Sequence, residues 1–162
     1  MESWADDPAH GYDQRYRWGE YGDFDCSAAV IQAWENAGVP VKSNGATYTG
    51  NMLAVFKRCG FEDVTSKINL STGSGLVRGD VLLNVTHHTA MYCGNGYEVE
   101  ASGNEKGGIT GGKPGDRPLP PAPAQGSATA DSVRGADRPA QAPLRERSAP
   151  HRTDSVLQTT FP

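Results

Sequence analysis

Nowhere in this sequence do apolar residues run to the ~18 that a membrane-spanning helix needs, so no membrane insertion is expected. Basic charge is also short: 15 Lys and Arg stand against 19 Asp and Glu, which leaves no electrostatic footprint for nucleic acid. The first thirty residues lack the apolar core of a signal peptide, since Met1 to Tyr21 is polar and aromatic. The expectation is therefore a chain made in the cytoplasm. Without export, Asn69-Leu-Ser and Asn84-Val-Thr do not read as glycan acceptors. Cysteine is scarce too. Cys26, Cys59 and Cys93 are odd in number and contain no Cys-x-x-Cys spacing. That argues against a disulfide framework and a zinc site, and reduced thiols with no metal and no cofactor are expected.

Aromatic residues are missing from one end of the chain and prolines from the other. Twelve of the 13 aromatics precede residue 113, and nine of the 11 prolines follow it. Charge divides at the same place, with a net of −6 over residues 1–112 and +2 over 113–162. The second segment is Pro, Ala, Arg and Ser with almost nothing to bury, a composition that cannot offset the entropy of ordering. The reading is one folded domain over residues 1–116, ending near 112 to 116, and a disordered tail over 117–162. No internal repeat is present.

Within the folded part three elements are legible. A helix is predicted from about Cys26 to Ala37, because Val30, Trp34 and Ala37 recur at helical spacing with Ile31 alongside, and Gly38 then Pro40 stop it. Asp25 stands where an N-cap belongs. A shorter helix is predicted from about Gly50 to Cys59, with Met52, Val55, Phe56 and Cys59 inward and Gly60 as its stop. Strands are predicted over 80–85, 88–93 and 97–101, the last two joined at Gly94-Asn95-Gly96. Helices followed by antiparallel strands make an α+β fold.

Cys26 falls in the first turn of the first helix. There the positive end of the helix dipole favours a thiolate, and free backbone amides can hold an oxyanion formed beside the sulfur. A nucleophilic thiol needs a base, and His87 and His88 stand together at the start of a strand. A strict two-residue turn at Asn95-Gly96 would put Glu100 on the face opposite His88. A three-residue Gly94-Asn95-Gly96 loop with Gly96 left-handed pairs His88 with Ser102 and makes Glu100 its same-face diagonal neighbour. The favoured set is Cys26 as nucleophile, His88 as base and Glu100 as the residue that orients it. Cys59 and Cys93 read as core thiols and His87 as a solvent or groove residue. Arg78-Gly79-Asp80 reads as a turn into a strand. Gly112-Lys113 is followed by Pro114 and no Ser or Thr, so it is no phosphate cradle.

The ordered motifs "HGYDQRYRWG", "FDCSAAV", "NGATYTGNM", "RGDVLL" and "HTAMYCGNGYEVEAS" resemble the NlpC-type, papain-like peptidoglycan hydrolases, especially the bacteriophage branch that includes lysis amidases. The resemblance covers roughly residues 8 to 116. It implies a papain-like core, here without its last strand, since Arg117 onward departs from the family's closing aromatic-rich strand. It also implies a cysteine hydrolase acting on amide bonds of bacterial cell-wall peptides, an endolysin-like amidase or endopeptidase. The family nucleophile falls on Cys26, its histidine on His88 and its third polar residue on Glu100. Asp25 and Ser27 match the flanks that line the peptide-binding side. The implied partner is peptidoglycan peptide, met at the cell wall by a monomer. Two other functions compete: a Cys-His acyltransferase, and a non-catalytic wall-binding protein.

Overall fold

The computed structural model describes residues 1–7, 9–103 and 153–159. The expected domain boundary near residues 112 to 116 and most of the 117–162 segment lie outside them. Among the described residues three α-helices, α1 (Glu2–Ala5), α2 (Cys26–Asn36) and α3 (Thr49–Arg58), precede all five strands. The strands are β1 (Phe61–Asp63), β2 (Val81–Asn84), β3 (His88–Gly94), β4 (Tyr97–Val99) and β5 (Ser155–Thr159). They form one antiparallel sheet in the order β1-β5-β2-β3-β4, an α+β arrangement as the sequence predicts.

Helix α2 starts where its cap allows. Asp25 is extended, with φ −88° and ψ 174°, and its carboxylate accepts the Ala28 amide hydrogen at 2.7 Å. This supplies a partner to one of the first-turn amides that a helix leaves unpaired. Every residue from Cys26 to Ile31 is buried, so the first half of α2 is enclosed on all sides. Trp34 is half-buried, but Ala37, expected to face inward, is exposed. The helix has ended at Asn36, and Gly38, at φ 91°, takes the left-handed conformation that stops it. In α3 the inward residues are Met52, Val55 and Phe56, while Cys59 is half-buried beyond its end. Val30 and Ile31 of α2, the three inward residues of α3, Phe61, Val81, Leu83 and Leu157 make one apolar core.

The β3–β4 hairpin reaches the favoured register by another route. Asn95 (φ 55°) and Gly96 (φ 79°) both lie in the left-handed region, as a two-residue type I′ turn requires. Gly94 is left-handed too, and the register shifts between Tyr92 and Gly94, where Cys93 bulges. Beyond the bulge Tyr92 pairs with Glu98 and Met91 with Val99. One turn residue fewer and one bulged residue more leave Glu100 on the same face as His88.

Strand β5 corrects two expectations, that the sheet lacks its last strand and that residues 117–162 are only a disordered tail. Leu157 pairs with Asp63 of β1 on one side and Val81 of β2 on the other. Val156 and Leu157 are fully buried. Side chains lock the strand in place: the Thr65 hydroxyl accepts the Val156 amide at 2.8 Å, and the Gln158 amide donates to buried Asp80 at 3.1 Å. The reason the sequence hides this strand is physical. Five residues with one apolar pair give no periodic signal, and their stability comes from partners 91 and 78 residues away.

Candidate active site

The mouth of α2 faces the start of β3. Cys26 is the first helical residue, and His88 is the first residue of the strand. His88 is 9% exposed and Cys26 8% exposed, whereas neighbouring His87 is exposed. His88 Nε2 lies 2.5 Å from Glu100 Oε2, and the same ring hydrogen-bonds the Cys26 sulfur. Of the residues singled out from sequence, the structure thus brings Cys26, His88 and Glu100 together. It leaves His87 outside, and Cys59 and Cys93 elsewhere as free thiols.

Electrostatics follow from the same contacts. Burial disfavours the His88 imidazolium, but the hydrogen bonds and charges of Cys26 and Glu100 outweigh it and raise its pKa to about 10. At neutral pH the ring is therefore a buried cation between two acids. Burial dominates at the other thiols, pushing Cys59 up and, with the Glu2 carboxylate adding to it, Cys93 up to about 11. Iodoacetamide near neutral pH is accordingly expected to label Cys26 faster than Cys59 or Cys93, even though Cys59 is the more exposed thiol. Peptide mapping after partial labelling reads the order. Equal labelling of all three would contradict it.

The raised value also makes stability depend on pH. The folded protein holds the His88 proton until about pH 10, while the unfolded chain releases it near 6.5. The contribution is therefore complete below about pH 6.5 and is lost as pH rises toward about 10. Urea midpoints of the wild type are expected to fall over this window more steeply than those of His88→Gln. Parallel curves would contradict the assignment.

Asp25 and Ser27 occupy the helix mouth but are buried, at 6% and 2% exposure. The Ser27 hydroxyl donates to Asp25 Oδ1 at 2.9 Å, and Arg17 Nη1 donates to Asp25 Oδ2 at 2.5 Å. Their side chains therefore shape the mouth from within. Two further residues escaped sequence reasoning. Arg17 is one. Tyr12 is the other: it is 4% exposed, and burial pushes its hydroxyl up to about 12, with Cys26, Asp25 and Arg17 close enough to act on it. Its oxygen accepts the Gln14 amide at 3.0 Å. Both stand in "HGYDQRYRWG", so their signal lay in a quoted motif whose individual side chains had no assigned task.

Among known proteins, an endolysin-like domain family matches residues 1–99. No curated protein and no solved structure matches the chain. The matched span runs from α1 through the end of β4 and includes both Cys26 and His88. Covering more than half of the sequence, it establishes that this chain belongs to the endolysin-like domain family.

Proposed function

We propose that the protein hydrolyses an amide bond of bacterial peptidoglycan by cysteine catalysis, as an amidase or endopeptidase of the NlpC-type, papain-like kind. Family membership points to lysis of the bacterial cell wall in a phage setting. The observation that carries the finer reading is His88, a buried ring bonded at once to Cys26 at a helix N-terminus and to Glu100. A thiolate beside an imidazolium is the resting state of a nucleophile whose proton has already moved to its base.

In this reading the Cys26 thiolate attacks the carbonyl carbon of the scissile amide. The oxygen takes up the negative charge and is met by the first-turn amide hydrogens of α2, those of Cys26 and Ser27. As the C–N bond breaks, His88 gives its proton to the leaving nitrogen, and a thioester on Cys26 remains. Neutral His88 then takes a proton from water, whose oxygen attacks the thioester. A carboxylic acid departs, and the thiolate–imidazolium pair returns. Glu100 fixes the ring and stabilises its cationic form, as an acid does in triads. Asp25 and Ser27 hold the peptide-binding side of the helix mouth in shape.

Purified cell walls incubated with the protein are expected to release new free amino groups, and a chelator is expected to leave that rate unchanged. An added amine acceptor separates the competing chemistry. Capture of the acceptor in place of water would identify an acyltransferase. Retention on walls with no amine released would identify a binding protein and end the hydrolase reading.

A further inference from the structure

Arg17 lies outside the Cys-His-Glu set, on the loop before α2. Its Nη1 donates to Asp25 Oδ2 at 2.5 Å and lies 3.4 Å from Ser27 Oγ, and its Nη2 donates to the Thr47 carbonyl oxygen. Its guanidinium sits 5.0 Å from the Trp18 ring centroid, which leaves it three kinds of restraint and little freedom. The other oxygen of Asp25 accepts from Ser27 Oγ at 2.9 Å and from the Ala28 amide at 2.7 Å.

Asp25 exerts two opposed effects on its neighbour. As the N-cap it stabilises the helix that presents Cys26. As a buried carboxylate one residue away it repels negative charge on the sulfur, and low dielectric strengthens that repulsion. Asn or Ser would cap the helix with no charge. A charged cap beside a thiolate therefore calls for a counterion of its own, held where it cannot swing away.

We propose that Arg17 is that counterion: a positioning residue that neutralises the capping carboxylate of Asp25, so that Cys26 keeps its helix cap without the cap's charge. The inference rests on the reading of Cys26 as a nucleophilic thiolate. Of the other titratable groups on the adjoining segments, Tyr12, Asp13, Asp23 and His88 are buried and Glu100 beyond β4 is half-buried, while Arg15, Tyr16, Glu20 and Tyr21 are exposed to solvent. Burial keeps Tyr12 protonated, Asp13 accepts the Arg15 and Tyr16 amides, and Glu100 is paired with His88. Asp25 is the carboxylate that both caps the helix and touches Arg17.

The test is the rate of Cys26 alkylation by iodoacetamide in the full chain as a function of pH. R17Q is expected to slow alkylation about tenfold near pH 6.5 and far less near pH 9, the signature of a lost charge. R17K, which keeps the charge, is expected to stay within about threefold of wild type. The double variant R17Q/D25N is expected to recover to within about threefold, because removing the carboxylate removes the need for its counterion. D25N alone gives the sharpest sign: alkylation near pH 6.5 should become faster than wild type, since Asn caps as well as Asp and leaves Arg17 unopposed. A purely structural clamp predicts slower alkylation in D25N and no recovery in the double variant. Either result, or an R17Q protein as reactive as wild type, overturns the proposal. If R17Q does not fold, the sign in D25N decides alone. Alkylation needs no cell wall, so this charge dependence in a protein that releases nothing from walls would end the hydrolase reading and leave the role of Arg17 standing.

Discussion

Deletion of residues 152–162 is expected to unfold the domain, not to trim a tail. Strand β5 lies inside the sheet, between β1 and β2, and pairs with both. Its loss removes Val156 and Leu157 from the core, each fully buried, at a cost of roughly 1.5–3 kcal/mol per side chain. It also strips β1 of its only described strand partner and leaves the backbone groups of two strand edges unpaired. Against a whole-domain stability of about 5–15 kcal/mol, the sum is enough to abolish cooperative folding. The milder Leu157→Ala should lower stability by about 2–5 kcal/mol. Thermal denaturation of the full chain, Leu157→Ala and the truncated chain checks both. A truncated protein that melts within a degree of the full chain would show that β5 contributes nothing to stability.

His88→Ala is expected to lower the rate of wall-peptide release by about 10²–10⁴-fold, the usual contribution of a positioned acid–base group. His87→Ala should cost little, because its ring is exposed and its neighbour alone reaches Cys26. Glu100→Ala should be intermediate, since Cys26 still favours the imidazolium when the carboxylate is gone. The pH profile adds a signed consequence. His88 must be protonated to release the leaving amine, so activity should fall as pH rises through about 10. Glu100→Gln removes one of the two partners that raise that value, and the alkaline limb should move to lower pH. A lethal His87→Ala beside a tolerant His88→Ala would reverse the assignment.

Local features carried most of what the sequence made legible. Asp25 before Cys26, the Val30–Ile31 pair and the stop at Gly38 set the limits of α2 because capping and burial act within a few residues. Asn95-Gly96 fixed a hairpin for the same reason, but this two-residue turn brings Glu100 to His88 only together with the bulge at Cys93. Its bulge was not legible, since a bulge is a compromise among strands and not a residue preference. Strand β1 is three residues long with only Phe61 buried, too short to show alternation. Strand β5 was invisible because its neighbours in sequence are unlike its neighbours in space. Arg17 was missed because a cation on a polar loop reads as surface until the carboxylate it meets is known.

The central claim, that Cys26 opens an amide bond of peptidoglycan, is tested most directly by mass spectrometry of fragments released from purified cell walls. Wild-type protein is predicted to give fragments that carry one added water across an amide bond, and Cys26→Ser, folded to the same melting temperature, to give none. Fragments cut at a glycosidic bond, or the same amide products from Cys26→Ser, would contradict it.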